Sequence, residues 1–192
     1  MKVSYNWLKD YLDIDKPVDE VSEILTNLGL EVEKVEDFES IKGSLEGVIV
    51  GEVLTCKKHP NADRLKLTNI DLGKEGEFEI VCGAPNISKG QKVAVATVGA
   101  VIYTNSGEKI KISKSKIRGV VSNGMVCAED EIGLGDSHDG IMVLDNKVKP
   151  GTPLNKIYKI EKDKILEIGL TPNRSDAMSH YGVARDLKAF FD

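Results

Sequence analysis

The chain has 192 residues, of which 41% are hydrophobic and 30% are charged, and its formal net charge is -5 at pH 7. These values are typical of a soluble globular protein with one large domain or two small ones. No apolar run approaches the roughly 18 residues of a membrane helix, and no secretory h-region follows Met1, so we expect a cytoplasmic protein without a membrane partner. Three distant cysteines, Cys56, Cys82 and Cys127, argue against a disulfide framework.

The charge is distributed unevenly along the chain. Residues 1–39 carry four basic and eleven acidic residues, a net charge of -7. Residues 57–118 carry twelve basic and six acidic residues, a net charge of +6. A nucleic-acid partner is therefore compatible with an acidic protein, because the middle of the chain is basic.

The first segment predicts helices followed by a strand. A helical stretch surrounds Trp7, and a second helix follows Pro17 and stops at Gly29. Residues 30–36, "LEVEKVE", alternate as a strand does. The apolar residues of the second helix share one face at helical spacing: Val18, Val21, Ile24, Leu25 and Leu28.

Residues 40–150 have the short, turn-punctuated strands of a small closed barrel or sandwich. One short helix is expected at residues 128–133, "AEDEIG". The strand candidates are "GVIVGEVLTC", "RLKLTNID", "FEIVC", "KVAVATV", "KIKISKSKIRG" and "GIMVL".

After Pro150 the helix and strand character returns. "KILEIGL" predicts a strand, and a helix after Ser179 places Val183, Leu187 and Phe190 on one face. Neither flank is large enough to bury a core alone. We therefore expect one small discontinuous α+β domain, residues 1–39 and 151–192, interrupted by a barrel at 40–150. The helix after Pro17 should pack against the helix after Ser179.

Three patterns that suggest catalysis or metal binding have simpler explanations. Ser137, His138 and Asp139 have the residue types of a catalytic triad, but adjacent side chains diverge and a turn is favoured. Cys56 and His59 have a zinc-ligand spacing but lack a second ligand pair. The glycines near residue 133 lack the Lys-Ser/Thr of a phosphate loop. We therefore expect no catalytic residue, no metal and no cofactor within this chain.

The strongest binding signal is "KIKISKSKIR", residues 109–118, which has five cations and no acid. Lys109 and Lys111 have one strand parity, whereas Lys114, Lys116 and Arg118 have the other. A twist or bulge near residue 113 is therefore needed if all five are to face one groove. The alternative is a solvated edge strand that lysines protect from aggregation.

Four segments occur in a recognisable order: "HPNADRLKLTNIDLG" (59–73), "IVCGAPNI" (80–87), "VAVATVGAVI" (93–102) and "KIRGVVSNGMVCAEDEIGL" (116–134). In order and spacing they resemble the tRNA-binding OB-fold module of several aminoacyl-tRNA synthetases and tRNA-binding cofactors. The resemblance covers nearly all of residues 40–150. It implies an OB-fold β-barrel that binds RNA through loops and through cations along one sheet face.

The flanks resemble the start of bacterial phenylalanyl-tRNA synthetase beta subunits. The segments are "SYNWLKDYLD" and "LTNLGLEVEKVE" in front, and "EIGLTPNRSDAMSHYGVARDL" (167–187) behind. The resemblance implies an N-terminal fragment of a ligase that charges tRNA(Phe) in protein biosynthesis. The whole enzyme would use ATP and Mg²⁺ and pair with an alpha subunit in an alpha2-beta2 heterotetramer, while this fragment would be non-catalytic.

Two alternatives remain at this point: a free-standing tRNA-binding or chaperone-like OB protein, and a structural OB module with little tRNA contact. The scarcity of aromatic residues, 5% of the chain, predicts that contacts to phosphates and to RNA shape dominate. The candidate RNA-binding residues are His59, Asn61, Arg64, Lys66, Asn86, Lys114, Lys116, Arg118, Ser122, Asn123 and Met125.

Overall fold

The structure, a computed structural model, describes all 192 residues and is a sheet-rich α+β protein. Its helices are α1 (Tyr5–Tyr11), α2 (Val18–Asn27) and α3 (His180–Phe191). None of the three has the length and apolar character needed to cross a membrane. The strands are β1 (Lys2–Ser4), β2 (Glu31–Glu39), β3 (Val48–His59), β4 (Ala62–Asp71), β5 (Glu77–Cys82), β6 (Lys92–Ala96), β7 (Val101–Tyr103), β8 (Lys109–Lys111), β9 (Ser115–Ile117), β10 (Val120–Ser122), β11 (Met125–Val126), β12 (Val143–Leu144) and β13 (Lys162–Gly169).

The chain divides into two compact units. Unit 1 comprises Met1–Ser40 and Glu161–Asp192, and unit 2 comprises Ile41–Ile160. Nine basic and seventeen acidic residues give unit 1 a net charge of -8. Unit 2 has seventeen basic and fourteen acidic residues and a net charge of +3. The basic character is therefore confined to the continuous unit.

Unit 2 extends beyond Pro150, the boundary that was expected from the sequence. The Gly151 N–H donates a hydrogen bond of 2.8 Å to the Val50 carbonyl in β3. Leu154 is then fully buried in the core of the same unit. The Pro-Gly pair is a turn within unit 2, because the chain after it still pairs with β3.

Unit 1 contains an antiparallel sheet with the strand order β1-β13-β2. Ser4 is the N-cap of α1, since its Oγ accepts a hydrogen bond of 3.0 Å from the Trp7 N–H. Ser179 begins α3 in the same way, by accepting from the Gly182 N–H at 3.0 Å. The sequence analysis missed β1, because three residues are too few to show a strand period.

The helices of unit 1 share one hydrophobic core. Buried Val21 and Leu25 of α2 belong to the same cluster as Val183 and Leu187 of α3. Leu166 of β13 completes the contact with the sheet. The expected packing of the helix after Pro17 with the helix after Ser179 is confirmed.

The two segments of unit 1 meet where unit 2 begins and ends. The Ser40 N–H donates to the Glu161 carbonyl at 2.9 Å, and the Glu161 N–H donates to Ser40 Oγ at 2.9 Å. Glu39 and Lys162 are cross-strand partners next to this junction. The interrupted domain therefore has adjacent ends.

Unit 2 is built on an antiparallel sheet with the order β11-β6-β3-β4-β5, and β12 also pairs with β6. The strands form an open path and not a closed barrel. Strand β3 is central in this sheet. Side chains pack closely over Gly51 of β3, where a Cβ atom would lie 2.5 Å from Ile70 Cγ2. A side chain at this position would displace the core.

The basic segment at residues 109–118 forms two short strands instead of one long strand. Strand β8 pairs with β7, and β9 pairs with β10. The break falls at residues 112–114, close to Ser113. The two halves belong to different hairpins.

The helix expected at residues 128–133 is absent, and a turn occupies this segment. The Ala128 N–H donates to Glu131 Oε2 at 2.7 Å. The Leu134 N–H bonds back to the Glu129 carbonyl, and Gly133 has a φ of +70°. The Glu131 side chain and the turn at the left-handed Gly133 thus supply hydrogen bonds to backbone groups that would otherwise pair within a helix.

Candidate nucleic-acid interface

Two hairpin tips are joined by side-chain hydrogen bonds. His59 lies at the β3–β4 tip, and its Nε2 lies 3.2 Å from the Ile117 carbonyl at the end of β9. Asn61 Nδ2 donates to the Arg118 carbonyl at 3.2 Å. We call these four residues the hairpin clip, because they connect residues far apart in sequence.

The His59 imidazole holds the clip together from a buried position. Only 5% of His59 is exposed. Its Nδ1 accepts a hydrogen bond of 3.1 Å from the Asn61 N–H, so the ring proton belongs on Nε2 and is donated to the Ile117 carbonyl. Both ring nitrogens are therefore occupied. His59 was expected to contact RNA, but in this structure it supports the loop from within.

The β9–β10 turn gives Arg118 an unusual backbone conformation. Arg118 has a φ of +48°, and Gly119 has a φ of +97°. Positive φ at both central residues of a two-residue hairpin loop is the pattern of a type I′ turn. The Arg118 side chain is exposed at this tip. An arginine at a position that favours Asn or Gly is strained, which makes it a candidate for a binding role.

Exposed cations surround the joined tips. Arg64 follows the β3–β4 tip, and Lys116 precedes the β9–β10 turn. Lys57, Lys58 and Lys114 are also exposed. None of these side chains or Arg118 forms a salt bridge. Exposed cations without a salt bridge are suited to phosphate groups.

A groove of about 550 Å³ lies beside these strands. Its walls come from the loop after β5, from residues 111–117 of the basic segment, from the start of β11 and from the 138–141 loop. The lining includes Lys111, Ile112, Ser113, Ser115, Met125, Glu131, His138 and Ile141.

The basic segment divides its side chains between the groove and its exterior. Lys111, Ser113 and Ser115 line the groove, whereas Lys114 and Lys116 do not. The break near residue 113 therefore does not bring all five cations to one groove. Lys111 belongs to the basic segment that the sequence singled out. Ser113 and Ser115 were not among the expected residues, and strand parity could not have identified them, because the strand is broken at residues 112–114.

Three of the expected RNA-binding residues are engaged within the protein. Lys66 Nζ donates to the Pro85 and Ile87 carbonyls at 2.9 and 2.8 Å. Asn86 bonds both backbone groups of Ile141, so it fixes the 138–141 loop. Ser122 is buried, and its Oγ accepts from the Val81 N–H. These side chains position the walls of the groove.

The remaining expected residues occupy different surroundings. The Asn123 N–H donates to the Glu79 carbonyl at 2.9 Å, which attaches the β10–β11 turn to β5. Met125 is half-buried and lines the groove. The structure thus brings Met125 and Lys111 together in the groove, and Arg64, Asn61 and Arg118 together near the clip.

Titratable groups near the groove have distinct environments. The Asp130 carboxylate lies 3.0 Å from His138 Nδ1 and raises the pKa of this exposed imidazole. Since His138 contacts Asp130, its sequence neighbours Ser137 and Asp139 do not form a triad with it. Burial raises the pKa of the Cys127 thiol to about 12.

Zinc binding by the Cys56 and His59 pair has no support in the geometry. Cys56 Sγ contacts the Ile87 carbonyl at 3.7 Å, while both nitrogens of His59 have other partners. Burial also raises the pKa of the Cys82 thiol, which disfavours the thiolate that a metal requires. No group of three or more His, Cys, Asp or Glu residues could hold a metal ion. The absence of zinc stays a prediction for elemental analysis.

Comparisons with known proteins agree on one family. Residues 48–153, more than half of the chain, match the family described as "Putative tRNA binding domain". This range contains both hairpin tips and the whole groove.

Curated relatives match over almost the entire chain. The chain is 55% identical to the phenylalanine–tRNA ligase beta subunit of Bacteroides fragilis, over 99% of this chain and 23% of that protein. It is 48% identical to the beta subunit of Salinibacter ruber, over 100% of this chain and 24% of that protein. The beta subunit of Chlorobaculum tepidum is 50% identical over 97% of this chain and 23% of that protein.

The chain therefore spans about a quarter of the length of these relatives. On this evidence the chain belongs to the tRNA-binding domain family.

Proposed function

We propose that this chain is the N-terminal region of a phenylalanine–tRNA ligase beta subunit and that unit 2 binds tRNA. The observation that carries the proposal is the set of exposed cations without salt bridges at and next to the two hairpin tips, inside the range that matches the tRNA-binding family. Phosphate contacts of this kind bind RNA without reading its sequence. The binding should therefore be weak and salt-sensitive.

In the same proposal, unit 2 is an OB-fold barrel. Its strands pair from β11 to β5 without closing into a barrel. Two hydrogen bonds nevertheless connect the two edges of this sheet. The Asn123 N–H donates to Glu79 in β5, and Ser122 Oγ accepts from Val81 in the same strand. These contacts bring the β10–β11 turn to the opposite edge of the sheet. OB-folds are partly open barrels that bind single-stranded nucleic acid.

The proposal assigns catalysis to other parts of the whole enzyme. The complete protein would be an aminoacyl-tRNA synthetase that uses ATP and Mg²⁺, works in the cytoplasm and pairs with an alpha subunit in an alpha2-beta2 heterotetramer. The names of the relatives, which are beta subunits of a phenylalanine–tRNA ligase, support the ligase activity and the presence of a second kind of subunit. The fragment alone should neither charge tRNA nor hydrolyse aminoacyl-tRNA.

The binding proposal is tested with tRNA and one charge-neutralised variant. We expect the variant with Lys114, Lys116 and Arg118 all replaced by alanine to bind tRNA more weakly. Each lost phosphate contact should reduce the slope of log K against log salt by about 0.7 to 0.9. Fluorescence anisotropy at 50 and 200 mM salt, roughly the range where such contacts are most visible, gives both quantities.

A matched control removes the same charge elsewhere in unit 2. Lys74, Lys89 and Lys147 are exposed and lie outside the groove and the clip. Their triple alanine variant should keep the salt slope of the wild type. Equal slopes for the wild type and both variants would contradict the proposal and favour a structural module that touches tRNA little.

A further inference from the structure

The groove beside the basic segment has features that phosphate binding does not require. Its floor contains apolar side chains from three parts of unit 2: Ile112, Met125 and Ile141. A site for phosphates alone needs cations and N–H groups, not an apolar floor. The groove is therefore suited to a ligand with a flat apolar face.

Polar groups stand at the rim above this floor. Lys111 is exposed, and Ser113 and Ser115 supply two hydroxyl groups from the same wall. Glu131 also lines the groove, and one of its carboxylate oxygens accepts a hydrogen bond from the Ala128 N–H. The other oxygen of Glu131 has no protein partner within hydrogen-bond distance. A few polar groups around an apolar floor are typical of sites for small, flat ligands.

The basic segment has side chains inside the groove and cations outside it. Lys111, Ser113 and Ser115 line the groove, while Lys114 and Lys116 are exposed and do not line it. A single strand of RNA has phosphates and bases that point in different directions. The segment can therefore contact neighbouring phosphates with Lys114 and Lys116 while the groove, with Lys111 at its rim, contacts one nucleotide.

We propose that the groove binds one unstacked nucleobase of single-stranded RNA, with the phosphate of that nucleotide at Lys111. This inference rests on the proposed tRNA binding and adds a base-binding site to it. Ile112 and Met125 contact the face of the base, because a thioether and an aliphatic side chain pack well on an aromatic ring. Ser113, Ser115 and Glu131 offer hydroxyl and carboxylate groups to the polar edge of the base.

Tyr103, the aromatic residue near the basic segment, does not form part of the base-binding surface. Tyr103 is half-buried, and Lys42 Nζ lies 5.0 Å from the centre of its ring. It is also absent from the groove. The floor under the base is consequently aliphatic, with the His138 imidazole also lining the groove. Bases that stay stacked in duplex RNA do not enter such a site.

Methionine methyl resonances test the proposal directly. The chain has four methionines, and only Met125 lines the groove. The 192-residue chain, labelled with ¹³C at the methionine methyl groups, is titrated with r(A)6, with r(U)6 and with an abasic ribose-phosphate hexamer of equal charge. We expect an upfield shift of Met125 that is larger for r(A)6 than for r(U)6 and absent for the abasic hexamer. Met142 and Met178 should not move.

Affinity measurements separate the base from the phosphates. The abasic hexamer should bind about fivefold more weakly than r(A)6, since removal of base contacts costs binding energy at the low end of the range for stacked bases. Ser113→Phe should fill the groove and reduce the r(A)6 affinity to that of the abasic hexamer. The matched control is Ser88→Phe, at an exposed serine outside the groove, and it should change neither affinity.

The outcomes distinguish this inference from the proposed function. If tRNA binds with a salt-dependent affinity but Met125 stays unmoved by r(A)6, or moves equally with the abasic hexamer, the base site is wrong and tRNA binding stands. If a folded Ser113→Phe variant binds r(A)6 as the wild type does, the site is also wrong. A Met125 shift with an aromatic peptide but not with RNA would assign the groove to protein ligands. No binding of any RNA would overturn both proposals.

Discussion

At the scale of single residues, burial distinguishes side chains that stabilise the loop from side chains that are available to bind RNA. His59 and Arg118 lie next to each other in the clip, yet one is buried and the other is exposed. A buried imidazole with two hydrogen bonds stabilises the loop, whereas an exposed guanidinium without a salt bridge is available to phosphate. Replacing each residue should therefore affect different properties.

We expect His59→Asn to destabilise the chain and to reduce the salt slope of tRNA binding. The Asn Oδ1 atom can replace Nδ1 as the acceptor for Asn61, but the donor to Ile117 is lost. One lost buried hydrogen bond costs about 0.5 to 1.5 kcal/mol. Urea unfolding measures the stability, and anisotropy measures the slope.

His138→Asn is the control for stability, because His138 is exposed and contacts only the Asp130 carboxylate. At a pH where the His138 imidazole is neutral, it should leave the urea midpoint close to that of the wild type. If His59→Asn were as stable as His138→Asn and kept the wild-type salt slope, the clip would not hold the tips together.

Arg118→Asn should lower RNA affinity without a loss of stability. Asparagine tolerates the left-handed conformation that Arg118 adopts, so the substitution should stabilise the turn by up to about 1 kcal/mol. The lost cation should reduce the salt slope by about 0.7 to 0.9. Thermal unfolding and anisotropy give the two values.

Lys116→Asn is the matched comparison, since it removes one cation from strand β9, where asparagine is disfavoured. It should lower the affinity and also lower the stability slightly. A loss of stability in Arg118→Asn equal to that in Lys116→Asn would show that the left-handed turn carries no strain.

At the scale of elements, α1 and α3 are linked through one histidine. His180 begins α3, and its Nε2 accepts a hydrogen bond of 2.8 Å from the Ser4 N–H at the start of α1. Asp163 of β13 accepts from the Ser4 hydroxyl and from the Asn6 N–H. The Trp7 ring lies 4.9 Å from the imidazole. Protonated Nε2 could not accept the bond from Ser4.

This contact predicts a pH dependence of stability between about pH 5.5 and 7.5. Burial lowers the pKa of His180, and the nearby Asp163 carboxylate opposes this shift without reversing it. Below the ordinary histidine pKa, the unfolded chain binds more protons at this site than the folded chain does. The stability contributed by His180 is therefore complete above pH 6.5 and is lost as the pH falls through the folded pKa.

Thermal unfolding at pH 5.5, 6.5 and 7.5, roughly spanning the histidine range, measures the effect. His180→Gln should flatten the profile relative to the wild type. His138→Gln should change it in the opposite direction, because Asp130 raises the pKa of His138 and its contribution is lost as the pH rises. A His180→Gln profile that is parallel to the wild type would contradict the prediction.

At the scale of the whole molecule, the adjacent ends of unit 1 predict that unit 2 can be removed. Ser40 and Glu161 already share two hydrogen bonds. An Asn-Gly pair between them would close β2 and β13 into a hairpin with a two-residue turn. We expect this joined protein to unfold cooperatively in urea, and residues 41–160 to do so alone.

Leu25→Asp tests whether the joined protein uses the expected core. Leu25 is fully buried in unit 1, so an aspartate there should unfold the joined protein. The same substitution in the full chain should leave the transition of unit 2 in place. A joined protein that lacks a cooperative transition even without this substitution would show that unit 1 depends on unit 2.

Local patterns account for the part of the architecture that the sequence predicted. Val21, Ile24 and Leu25 recur at helical spacing, and that periodicity alone identified the buried face of α2. The short alternating runs likewise identified β3, β4 and β5. The ordered motifs between residues 59 and 134 indicated the tRNA-binding family that the comparison shows.

The tertiary structure decided what each side chain of those motifs does. His59 is buried because its partner Ile117 lies 58 residues away, and Asn86 is engaged by Ile141, 55 residues away. A local sequence pattern cannot show contacts between residues that are so far apart in the chain. The sequence by itself determined the three helices, the longer strands, the family and the basic character of the middle segment, since these depend on neighbouring residues. Only the tertiary structure decided which cations remain exposed and which residues line the groove, because hydrogen bonding and burial join residues from distant strands.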